Sequence, residues 1–100
     1  MIRHVAVFRF VPDFTIEQRE HWMSLLRRLP VQIPELRSLS VGSDVRGGPA
    51  SHELAIVADF DDLTALDAYT RHPAHAEVLR ISAPVKTSLA TVDFEIPDAS

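Results

Sequence analysis

Residues 2–10, "IRHVAVFRF", restrict this chain more than any other stretch. Their character alternates with period two, the mark of a strand with two unlike faces. Ile2, His4, Ala6, Phe8 and Phe10 share one face, and Arg3, Val5, Val7 and Arg9 share the other. A second stretch, "HELAIVADF" at 52–60, reads as a strand that is almost continuously apolar in its middle. A strand with so large an apolar face must lay it against another layer, and the segments between the strands supply one.

"TIEQREHWMSLLRRL" at 15–29 has helical spacing. Trp22, Leu25, Leu26 and Leu29 form one apolar stripe, Thr15 and Gln18 have the spacing of a capping box, and Pro30 and Pro34 bracket the exit. Glu17, Arg19 and Glu20 read as its solvated face. "LRSLSVGSDV" at 36–45 is a strand, and "RGGPAS" after it is a turn. After the strand at 52–60, Asp61 or Asp62 caps a short helix, "LTALDAY", on which Ala65, Leu66 and Tyr69 share a face. Pro73 suits the first turn of a fresh helical segment, where its missing N–H costs nothing. His75, Val78, Leu79 and Ser82 then follow at i, i+3, i+4 and i+7. "KTSLATVDFEI" at 86–96 closes as a strand. The chain has no internal repeat and no linker, so one domain is expected over 1–97, with 98–100 as a tail.

The order βαββαβ predicts an α+β, ferredoxin-like fold: a four-stranded antiparallel sheet with two helices on one face, placed there by right-handed crossovers. Phe8, Phe10, Leu54, Ile56 and Phe60 should lie under the helices. The opposite face is expected to carry Val5, Val7, Leu39, Val41, Ala55 and Val57, with Arg9 and Asp59 among them. That face is too apolar for water, and a lone 100-residue chain buries only a modest core. A homodimer through this face is therefore expected.

Composition narrows the function. A net charge of −4, with arginines scattered among acids, argues against nucleic acid. No apolar run approaches the ~20 residues that span a bilayer, and the charged N-terminus is no signal peptide. With no cysteine there is no disulfide, thiolate nucleophile or thiolate metal site, and a cytoplasmic protein is expected. "VRGGPA" lacks the lysine and following helix of a phosphate-binding loop, and no serine sits in a nucleophile elbow. His72 and His75 supply at most two metal ligands, and adding His4 still leaves no obvious carboxylate to complete a set. Neither metal nor cofactor is expected.

Three side chains remain as candidates for chemistry. His4 points with Ala6 and Phe8 toward the helix layer, where it needs a hydrogen-bond partner. Tyr69 turns its ring inward, and its hydroxyl wants a partner as well. His75 sits at the positive end of a helix dipole, which disfavours imidazolium and keeps the ring neutral, as a general base requires. His72, held extended by Pro73, reads as a structural cap. His21 and His52 read as surface or strand-edge residues.

"HVAVFRF", "IPELRSLSVGSDV", "AYTRHPAHAEV" and "VDFEI" resemble, in that order, segments of the stress-responsive α/β-barrel (Dabb) family. The resemblance covers nearly the whole chain. It implies a dimer whose two sheets pack face to face into an α+β barrel. The family's olivetolic acid cyclase-like members imply cofactor-free cyclase or isomerase chemistry on a small organic ligand between sheet and helices. His4, Tyr69 and His75 match their site, with His75 as base and His4 or Tyr69 holding an enolate oxygen. A further helix-one tyrosine of that site is replaced by Leu26 here. The alternative is a non-catalytic stress-responsive barrel whose histidines complete the core.

Overall fold

Alternation along the first and third strands settles which sheet face carries the helices. In the computed structural model, which describes residues 1–98, the elements are β1 (Ile2–Phe10), α1 (Ile16–Gln32), β2 (Leu36–Ser43), β3 (Leu54–Phe60), α2 (Leu63–Arg71), α3 (Pro73–Ser82) and β4 (Lys86–Glu95). The strands form one antiparallel sheet in the order β2-β3-β1-β4, the ferredoxin-like arrangement expected from the element order. Positions 99 and 100 of the expected tail lie outside the described residues. Before them, Ile96 N–H donates to the Met1 carbonyl and the Asp98 carboxylate accepts from the Met1 amino group.

The inner face is the predicted one. Ile2, Ala6, Phe8 and Phe10 of β1 and Leu54, Ile56, Ala58 and Phe60 of β3 are all buried. Helix α1 lays Trp22, Met23, Leu26 and Leu29 on them. The Trp22 ring meets Phe8 edge-on at 5.4 Å and Phe10 at 5.8 Å, and its indole N–H donates to the Val78 carbonyl of α3 at 2.9 Å. One side chain thus joins sheet, first helix and third helix.

Local rules explain the helix ends. Thr15 and Gln18 form the expected capping box, and the Asp62 carboxylate, not that of Asp61, accepts from Ala65 N–H to start α2. Asp61 instead pairs with Arg37. Helix α1 runs past the stretch read as helical at 15–29, carrying Pro30 inside it, and ends at Gln32, within the exit that Pro30 and Pro34 bracket. Pro30 forfeits one hydrogen bond, but buried Leu29 and Ile33 hold the last turn to the core, and Ile33 N–H still reaches the Leu29 carbonyl at 2.8 Å. Arg19 is a second correction. It does not stand on a solvated face, for its guanidinium lies 5.1 Å over the Phe10 ring and pairs with Glu53.

The outer face needs a third correction. Leu39 and Val41 pair with Ala58 and Ile56, both buried inward, so they belong to the helix side and not to the open face. A register shift between Leu36 and Ser38 adds a residue and flips the parity of everything after it. The apolar outer surface is supplied from the other edge instead. Val5 and Val7 stand opposite Val92 and Ala90 of β4, and Phe94 lies beyond. Val92 is 61% exposed and Phe94 43%. Arg3 and Asp59 close one end of this face with a two-pronged ion pair at 2.9 and 3.0 Å, which holds the Asp59 carboxyl below its usual range.

Candidate functional site

The second helical unit is broken in two, and the break builds the site. His72 is at once the last cap of α2 and the first of α3, with Pro73 in the opening turn of α3. Its extended backbone is what a residue before proline adopts. Its ring accepts from Ala74 N–H at 3.0 Å, so the expected structural role for His72 stands. The break turns α3 so that the His75 ring meets the Tyr69 ring, centroids 4.3 Å apart. Tyr69 in turn packs on Phe60 of the sheet at 5.0 Å.

His75 is half-buried, and its Nδ1 lies 3.2 Å from the Thr70 carbonyl. A carbonyl only accepts, so Nδ1 carries the proton and Nε2 is left with a free lone pair. Burial pushes the imidazole below its ordinary pKa of 6.5; the Thr70 hydrogen bond acts the other way, and the charge of nearby His4 adds to the lowering. His75 is therefore neutral at neutral pH with a basic nitrogen available.

Tyr69 is 2% exposed. Burial pushes its phenol up to about 12, so it remains a proton donor at every physiological pH. Its hydroxyl has no hydrogen-bond partner among the described residues.

His4 lies on the inner face, as the alternation requires, and is close enough to His75 for its charge to disfavour protonation of His75. Its Nδ1 meets the Asp93 carboxylate at 2.5 Å. Asp93 stands directly opposite His4 in the β1–β4 register. This carboxylate escaped the sequence reading. Its parity within "VDFE" hinted at an inward position, but only the register of two strands 89 residues apart pairs it with His4. Helix α1 packs on β2 and α3, and α2 packs on β2 and β3, while β4 is exposed along most of its length. His4 and Asp93 therefore look out on uncovered space along the inner side of β4.

The arrangement offers a neutral base, a phenol donor and a histidine–carboxylate pair. No group of three or more metal-binding side chains gathers among the described residues. A separate cleft of about 680 Å³ lies at the Arg3 end of the sheet, but Arg3–Asp59 and Arg37–Asp61 are already paired there. No helix among the described residues is long and apolar enough to cross a membrane.

The family model for the stress-responsive A/B barrel domain matches residues 2–96. Among solved structures, a dimeric ferredoxin-like protein of unknown function from Thermobifida fusca is 36% identical with a TM-score of 0.86, covering 95% of this chain and 90% of its own. An Arabidopsis thaliana protein is 20% identical with a TM-score of 0.85, covering 100% and 99%. A hydroxynitrile lyase from Passiflora edulis is 17% identical with a TM-score of 0.83, covering 99% and 95%. The last two likenesses concern the fold alone. No curated protein sequence matches the chain.

Proposed function

The chain belongs to the stress-responsive A/B barrel domain family, and on that footing we propose that it is a homodimeric, cofactor-free acid–base catalyst acting on a small carbonyl compound. The observation that carries this reading is His75: a neutral imidazole with Nδ1 engaged by Thr70 and no partner on Nε2 among the described residues, in contact with a phenol whose hydroxyl has no partner among them either. In the step proposed, a C–H bond next to the carbonyl breaks and its proton passes to Nε2 of His75. The electron pair moves onto the carbonyl oxygen, where the Tyr69 hydroxyl donates a hydrogen bond to the enolate. The His4–Asp93 pair holds the other side of the substrate. The dimer forms through the outer face of Val5, Val7, Val57, Val92 and Phe94, a reading supported by the dimeric Thermobifida fusca relative.

Hydrogen exchange tests the step without knowledge of the natural substrate. In D2O, wild-type protein should accelerate loss of the α-proton signals of small aryl and alkyl methyl ketones, and His75→Ala should remove the acceleration. A general base contributes about 100- to 10,000-fold, well above detection. The Passiflora edulis lyase suggests a cyanohydrin as a further substrate, since its cleavage also begins with proton removal. No acceleration across these compounds refutes catalysis. The second reading is a non-catalytic barrel, favoured by the close packing of Tyr69 between Phe60 and His75.

A further inference from the structure

In an unbroken helix the Ala74 N–H would donate to the Thr70 carbonyl, four residues earlier. Pro73 prevents this, and two rings take over the two halves of the missing bond. Ala74 N–H goes to Nδ1 of His72 at 3.0 Å, and the Thr70 carbonyl receives Nδ1–H of His75 at 3.2 Å. The backbone of His72 is committed as well: its N–H donates to the Tyr69 carbonyl at 3.1 Å, and its carbonyl accepts from Ala76 N–H at 3.0 Å. The joint between the Tyr69 helix and the His75 helix thus hangs on one residue.

We infer that His72 is a positioning residue: by capping α3 it fixes the first turn, which carries His75, and so holds His75 on the Thr70 carbonyl with its proton on Nδ1. To accept from Ala74, His72 carries its own proton on Nε2, the opposite tautomer from His75. If the His72 acceptor is removed, the Ala74 N–H loses its cap and the first turn of α3 loosens. His75, carried by that turn, is then no longer held on the Thr70 carbonyl, its ring can turn, and the nitrogen facing the substrate is no longer fixed as the basic one. Catalytic importance for His72 rests on the reading of His75 as base; the tautomer relay does not.

Three variants separate these statements. His72→Phe keeps a ring without an acceptor, His72→Ala removes both, and His72→Asn restores a side-chain oxygen of the kind helix N-caps use. The ring nitrogens of ¹⁵N-labelled His75 report its tautomer by NMR with no substrate present. Wild type and His72→Asn should hold His75 with its proton on Nδ1, while His72→Phe and His72→Ala should shift the proton toward Nε2. In the exchange assay the Phe and Ala variants should lose about 10- to 100-fold in kcat with KM little changed, as expected when a base is misplaced and substrate binding is not. A His75 tautomer unaltered in the folded Phe variant overturns the inference, as does failure of His72→Asn to restore it. Normal tautomer behaviour without ketone exchange by wild type sinks the catalytic reading and leaves the relay standing.

Discussion

Replacing Tyr69 with phenylalanine separates a site from a filled core more cleanly than any other single change. The ring is 2% exposed and packs on Phe60 and His75, so a phenyl ring fills the same space with no cavity. What disappears is one hydroxyl without a partner among the described residues. A partnerless hydroxyl sealed from water would cost about 1–3 kcal/mol, but among the described residues only Arg19 Nε is both sealed and without a partner, so the Tyr69 hydroxyl still reaches water. Removing a hydroxyl that water already satisfies should leave stability within about 0.5 kcal/mol of wild type. For a domain of this size the melting temperature moves by about 4–8 °C per kcal/mol, so the shift should stay within roughly 4 °C. Urea denaturation at one fixed protein concentration, with an unchanged m-value, measures the effect without confusion from dimerisation. In the ketone-exchange assay the same variant should lose about 100- to 1,000-fold in kcat, the loss seen when one oxyanion donor is removed. A variant of nearly unchanged stability and much lower activity is what a site predicts. Destabilisation by 1 kcal/mol or more would mean that the hydroxyl makes a structural bond, and Tyr69 would leave the site.

Val7→Glu places two like charges on a face that meets its own copy, and each desolvated, unpaired carboxylate costs several kcal/mol. Sedimentation should then show monomer or aggregate, whereas an intact dimer puts the interface elsewhere. His75 should titrate below 6.5 by NMR, because burial, its leading perturbation, lowers the folded-state value. Above that pH the ring is neutral in both states and adds nothing. Below it the unfolded chain binds the proton first, so stability falls as pH falls through the window beneath 6.5. Replacing His75 with glutamine should flatten that part of the stability profile, and an unchanged slope would contradict the burial argument.

Much of the architecture follows from local pattern. Parity in β1 and β3 placed Phe8, Phe10, Leu54, Ile56 and Phe60 inward, because side chains on a strand alternate whatever lies around it. Thr15, Gln18, Asp62 and Pro73 marked helix starts because capping needs only residues within three or four positions. The same local rules put His4 on the helix side and Tyr69 and His75 on neighbouring turns. They failed where a distant partner decided. The extra residue after Leu36 turned Leu39 and Val41 inward, since a shift in pairing register reverses parity without any sign in the strand's own residues. Buried Leu29 and Ile33 hold α1 to the core past the stretch read as helical at 15–29, through Pro30 to Gln32, still within the bracket of Pro30 and Pro34. Asp93 became the partner of His4 only through the β1–β4 register. Sequence periodicity determined which residues face inward; pairing between strands far apart in the chain decided which of them meet, because that choice is made by the packing of the whole sheet.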